Sequence, residues 1–253
     1  DSCGTVSSVA ADTAESLPVP FVEVVSHSVR AAVEASGNML YLLSNALQMR
    51  RDSLGQFRVL DIAYAQYLKG DVAWTMNVNF DRRNSLFFHM ETGIAFPYGN
   101  ARMLPFEKRY YAGGANSVRA FSARSLGPGS YYAGDGSYNF INHVGDVRLE
   151  ANLEYRFRII GDLHGATFLD AGNVWLLRKD EGRPGGELTA KHFIDQIALG
   201  TGVGVRYDMD FLVFRLDLGV GLHYPYENGR SGYFNMPKFK DNLALHFAIG
   251  YPF

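Results

Sequence analysis

The chain closes on "LALHFAIGYPF", residues 243–253. Its odd positions, Leu243, Leu245, Phe247, Ile249, Tyr251 and Phe253, are large and apolar. Its even positions, Ala244, His246, Ala248, Gly250 and Pro252, are small or polar. Strand side chains point alternately to opposite faces, so this period of two predicts a β-strand that runs to the last residue. One of its faces is greasy, and that face has to meet either a protein core or lipid.

The same alternation recurs upstream. "FLVFRLDLGVGLHY" (211–224) sets Leu212, Phe214, Leu216, Leu218, Val220 and Leu222 against Arg215, Asp217, Gly219, Gly221 and His223. "DVRLEANLEYRFRI" (146–159) sets Val147, Leu149, Leu153, Tyr155 and Phe157 against Arg148, Glu150, Asn152, Glu154 and Arg156. "QIALGTGVGVRY" (196–207) opposes Ile197, Leu199, Val203 and Val205 to a row of glycines that ends in Arg206. Eight strands are predicted, at 24–36, 64–81, 86–97, 146–160, 164–176, 195–207, 211–224 and 243–253. Between the first two, the apolar run "NMLYLLSNALQM" (38–49) after Gly37 reads as a short helix in a long loop, and residues 1–23 read as a loop or linker.

Strand length and connections separate core from lipid. The alternating segments run to about 11–15 residues, against the five or six common in globular sheets and the 9–11 needed to cross a bilayer at a tilt. Short turns at 81–85, 161–164 and 208–210 alternate with long connections at 37–63, 98–145, 177–194 and 226–241. Short turns at one end and long loops at the other are the asymmetry of an outer-membrane barrel. Enrichment in glycine and aromatic residues agrees with strands and tight turns. A formal charge of −2 gives no electrostatic case for a nucleic-acid partner, and the single cysteine, Cys3, excludes an internal disulfide. The seven histidines show no metal-binding spacing, and no nucleophile motif surrounds Ser117. Neither catalysis, nor a metal, nor a cofactor is expected.

Residues 98–145 are too long for a passive connection. They contain "GGANSVRAFSARSLGPG" (113–129), in which Gly113 and Gly114 allow one sharp reversal and Gly127, Pro128 and Gly129 another. Arg119, Phe121 and Arg124 lie between them, side chains that call for specific partners.

This loop resembles that of the outer-membrane assembly factors of the BamA and TamA type, whose long extracellular loop carries Val-Arg-Gly-Phe/Tyr after a Gly-Gly. "ANLEYRF" (151–157) is similar to the family's Glu-bearing strand, "TFLDAGNVW" (167–175) to its Phe-x-Asp-x-Gly strand, and "HFAIGYPF" to its last strand. The wording is nearest to the TamA-like branch of the Bacteroidetes. One departure is visible: Ala120 stands where the family has glycine.

The resemblance implies an all-β chain, the C-terminal half of a sixteen-stranded transmembrane barrel in the bacterial outer membrane, over residues 24–253. It implies that the loop folds into the lumen, where Arg119 and Phe121 meet a wall bearing Glu154, Phe168, Asp170 and Gly172. The residues alone leave open that Asp170 and Glu154 pair instead with Arg148, Arg156 or Arg215. The small inward row of 200–205 would leave room for such a loop. The implied function is non-enzymatic assembly, insertion or translocation of other outer-membrane or surface proteins through a lateral seam. Gly250, Tyr251, Pro252 and Phe253 fall on that seam, with Tyr251 and Phe253 as interfacial anchors. The implied partners are membrane lipid (lipopolysaccharide and phospholipid), client proteins, accessory assembly subunits, upstream periplasmic domains and the remainder of the barrel. The alternative is a secretion pore or passive channel of the two-partner-secretion type, which shares the loop motif.

Overall fold

The computed structural model describes residues 24–133, 141–209, 211–230 and 232–252. Its centre is one antiparallel sheet of eight strands in chain order: β1 (Val24–Ser36), β2 (Tyr67–Asn79), β3 (Asn84–Pro97), β4 (Val147–Ile160), β5 (Leu163–Trp175), β6 (Ala198–Asp208), β7 (Val213–His223) and β8 (Leu243–Ile249). Each strand pairs with the one before it, and β1 and β8 are the two edges of an open sheet.

Register fixes which rows share a face. Leu153 pairs with Leu169, Leu216 with Phe247 and Leu218 with Leu245, so the apolar rows align across strands. Those side chains stand exposed, between 37% and 66% accessible. The opposite rows are buried although they carry charge: Glu150, Asn152 and Glu154 on β4, Asp170 on β5, Arg206 on β6, and Arg215 and Asp217 on β7. A water-soluble sheet would bury the other face. Apolar outside with polar inside is the arrangement of a membrane barrel wall. No helix among the described residues is long and apolar enough to cross a membrane.

Short turns at 80–83, 161–162 and 209–212 mark one end of the sheet. The long connections leave from the other: 37–66, which contains the helix α1 (Asn38–Ala46), then 98–146, 176–197 and 224–242.

The last strand departs from expectation. Its paired residues end at Ile249, Gly250 N–H makes one last bond to Val213 O at 2.7 Å, and Gly250 takes φ 89°, a left-handed conformation that turns the chain away. Tyr251 therefore does not continue the outer row as an anchor. Its hydroxyl donates to Asp208 at 3.1 Å, and the Arg156 guanidinium lies 4.5 Å from its ring centre. Pro252 is buried, and Phe253 lies outside the described residues, as do residues 1–23.

Candidate functional site: a loop pinned to the inner wall

After β3 the chain turns back across the inner face of the sheet. Tyr110 forms an isolated bridge with Gly145 and Ala112 another with Leu126, which tie the loop to itself. Gly113 and Gly114 reverse it at φ 95° and 107°, values closed to most L-residues. Their backbone then closes the tip: Gly113 N–H donates to Ser117 Oγ at 2.9 Å and Gly114 N–H to Phe121 O at 3.0 Å. Val118 and Leu126 are wholly buried with Leu104, Tyr110, Phe121 and Val174 in an apolar cluster between loop and wall. Phe121 meets Tyr224 edge to face at 4.9 Å. Gly127 and Pro128 lie at the far side of the loop, where Gly129 N–H donates to Val174 O at 2.8 Å.

At the tip stands Arg119, fully buried. Its Nε and Nη2 donate to the two Asp170 oxygens, each at 2.8 Å, and its backbone N–H donates to Asp170 Oδ2 at 3.0 Å. This is the two-pronged fork that a guanidinium makes with a carboxylate. Its Nη1 donates to Glu154. Beneath the guanidinium plane lies the Phe168 ring, 3.7 Å from Cζ to the ring centre. Arg119 belongs to the loop and not to a strand. Burial disfavours its charge, yet Asp170 and Glu154 more than offset this and hold its pKa above the usual guanidinium range.

The wall is made to receive the tip. A Cβ at Gly200 would stand 2.2 Å from the Ala120 Cβ, and one at Gly219 would stand 2.3 Å from the Arg119 carbonyl oxygen. A Cβ at Gly202 would strike the Phe168 ring at 2.3 Å. The inward glycines of β6 and β7 thus make the space that the loop and the Phe168 ring fill. Ala120 is buried against them and does not take a positive φ, so alanine is unstrained there. Gly172 pairs with Glu150 across β4 and β5, where a Cβ would press on Glu150 Cγ at 2.9 Å. Glu150 in turn accepts from Ser117 Oγ at 2.7 Å.

The structure thus brings Arg119, Glu154, Phe168 and Asp170 into direct contact, with Gly172 and Phe121 one neighbour removed. Gly250 and Pro252 lie at the short-turn end, and Tyr251 there reaches the cluster only through Arg156, which packs on its ring and binds Glu154. Of the alternative partners, Arg156 does reach Glu154, Nε to Oε1 at 2.6 Å, alongside Arg119. Reading the sequence missed the extension of the network. Arg206 joins Glu154 at 3.1 Å to Asp217 at 2.6 Å. Arg215 contacts Asp217 at 3.3 Å and donates to Asn116 of the loop at 2.6 Å. Asn152 donates to both Asp170 Oδ1 and Ser117 O at 2.9 Å. The available signal was that Arg206 and Asp217 occupy the small, inward row of adjacent strands.

Polar wall, apolar exterior and an inserted loop define a segment of an outer-membrane β-barrel that holds its own loop inside. The model of the Omp85 superfamily domain matches residues 61–253, and the chain belongs to that superfamily. It is an outer-membrane β-barrel protein. The chain is 34% identical over 90 residues to the outer membrane protein assembly factor BamA of Neisseria meningitidis, covering 34% of this chain and 11% of that protein. It is 29% identical over 188 residues to the sorting and assembly machinery component 50 homolog A of Xenopus laevis, covering 72% of this chain and 38% of that one. Among solved structures, BamA from Haemophilus ducreyi lacking POTRA domains 1–3 aligns over 89% of this chain and 51% of its own, at 13% identity and a TM-score of 0.45. The chain spans well under half the length of either curated relative.

Proposed function

We propose that residues 24–253 are the C-terminal portion of a larger barrel that inserts or translocates other outer-membrane proteins through a seam at β8. The names of two relatives, an outer membrane protein assembly factor and a sorting and assembly machinery component, support assembly as the general role. The observation that carries the seam is the edge itself. β8 is only seven residues long, against 11 for β7, and after one last bond from Gly250 N–H to Val213 O at 2.7 Å the left-handed Gly250 turns the chain away. Its outer edge offers backbone groups that hydrocarbon will not tolerate unpaired. A distant barrel strand satisfies them at rest, and a client strand replaces it by β-augmentation. The work is done by strand exchange and not by a chemical step. Arg119, Asp170 and Glu154 hold the loop against the inner wall while the edge opens, and a filled inner face favours a gated seam over a passive pore.

Cysteine trapping tests this. In a Cys3→Ser background, Leu245→Cys on β8 should form a disulfide with a cysteine placed in the last strand of a client during its insertion. Normal client insertion without any such adduct along β8 would refute the seam.

A further inference from the structure

The helix between β1 and β2 is docked by the side that helices of water-soluble proteins usually expose. At 100° per residue, Leu42, Ala46, Met39, Leu43, Leu47 and Leu40 follow one another around a continuous apolar arc of about 160°. That arc is bare: Met39 is 84% exposed, Leu42 68% and Leu47 64%. Most of the polar arc faces the protein, with Asn45 its exposed member. Ser44 is buried and accepts from the Tyr64 hydroxyl at 3.2 Å. Asn38 accepts from Gln66 Nε2 at 2.9 Å and from the Tyr98 hydroxyl at 2.7 Å. At the start of the helix, a Cβ on Gly37 would lie 2.4 Å from the Ala65 carbonyl oxygen, so the helix sits flush on this platform.

Register says which side of the sheet the platform is on. Tyr67 and Pro97 pair with each other and are buried on the inner face, whereas their neighbours Leu68 and Phe96 belong to the exposed outer rows. Gln66 and Tyr98 each stand one residue beyond an inward position, so by alternation they continue those outer rows. The helix is therefore tied to the outer side of the rim, continuous with the apolar exterior of β2 and β3. Arg50 and Arg51, both exposed, follow the helix after three intervening residues. Basic residues flanking an exposed apolar helical face suit the boundary between acyl chains and anionic headgroups.

We infer that α1 is an interfacial helix: its Met39, Leu42, Leu43 and Leu47 arc lies in the acyl-chain boundary of the surrounding membrane and fastens the long-loop rim of the barrel to lipid. The inference rests on the membrane-barrel reading of the sheet. It is tested on the full-length protein reconstituted in phospholipid vesicles, in a Cys3→Ser background. Spin labels are placed at Leu42→Cys and Leu43→Cys, with Leu169→Cys on the outer row of β5 as the lipid reference and Asn45→Cys on the opposite helix arc as the aqueous one. Collision with dissolved oxygen and with a water-soluble nickel chelate is then compared. Labels at Leu42 and Leu43 should collide with oxygen over nickel several-fold more than the label at Asn45, approaching Leu169. If nickel reaches them freely, the arc faces water; if neither reagent does, protein covers it. Either result, with Leu169 still reporting lipid, overturns the interfacial helix alone. Loss of the lipid signal at Leu169 would overturn the barrel reading with it.

Discussion

Residues 98–145 and residues 37–66 leave the same end of the sheet and treat polarity in opposite ways. The first carries Arg119 inward until no part of it is exposed and surrounds it with Asp170, Glu154 and Phe168. The second carries Leu42 and Leu43 outward with their apolar surface uncovered. A buried charge is tolerated only when it is paired, as Arg119 is, because an unpaired one costs several kcal/mol, and in a water-soluble protein a bare leucine row invites aggregation. Around a barrel wall both are expected. The inner side is polar and enclosed, the outer side is hydrocarbon, and each loop has the chemistry of the side it folds onto.

The comparison is broken most severely at Arg119. Arg119→Ala removes three side-chain donors from two buried carboxylates, leaving only the backbone N–H on Asp170, and should cost about 3–5 kcal/mol of loop docking. The measurable outcome is new protease cleavage within 113–129 and reduced client insertion, with the strands still folded. Arg119→Lys should recover only part of this, because an ammonium cannot make the fork with Asp170. Unchanged protease resistance in Arg119→Ala would show that the apolar cluster alone holds the loop.

Asp170 and Glu154 sharpen the same contrast, because they share Arg119 unequally. Asp170 takes three of its donors and one from Asn152, while Glu154 takes one and also binds Arg156 and Arg206. Asp170→Ala should therefore free the loop nearly as fully as Arg119→Ala. Glu154→Ala leaves Arg156 and Arg206 poorly compensated inside the wall. It should lower the thermal unfolding temperature of the barrel while the loop stays largely protected. Equal protease patterns in the two variants would contradict this division of labour.

How far the sequence discloses this architecture depends on the residue. Alternation locates every strand to within about three residues at most ends, because a wall with one apolar face demands a strict period of two. It fails at the last strand. Tyr251 keeps the rhythm of the outer row, but a single left-handed glycine before it redirects the chain. The Arg119, Asp170 and Glu154 cluster was expected from likeness to a family and not from spacing: these residues lie 35 and 51 positions apart along the chain, and local pattern carries no information on such contacts. Alternation places Arg206 and Asp217 on the inward rows, but their pairing across β6 and β7 needs the register, in which Gly204 stands opposite Asp217. The glycines of β6 were legible as empty space, though not as the mould of one particular loop tip.

That mould supplies a smaller test. Gly219→Val places a branched side chain where the Arg119 carbonyl oxygen and the Ala120 Cα already lie. Overpacking of this kind typically costs about 1–3 kcal/mol. Since Gly219 lies on the inward row of β7 and the strand's outer row is untouched, the cost should appear as partial loop release and not as failure of the sheet to form. Limited proteolysis beside heat-resistant migration on gels would separate the two.

Ala120 marks the small end of the scale. It lies within the buried tip, its Cβ toward Gly200, and its backbone does not require a positive φ. Ala120→Gly removes one methyl group and adds chain entropy to the unprotected state, a loss of about 1 kcal/mol. Loop protection should fall only slightly, far less than for Gly219→Val, and client insertion should be unchanged. A large loss would mean that the Ala120 methyl packing against the glycine row, and not the Arg119 ion pairs, is what keeps the loop inside the wall.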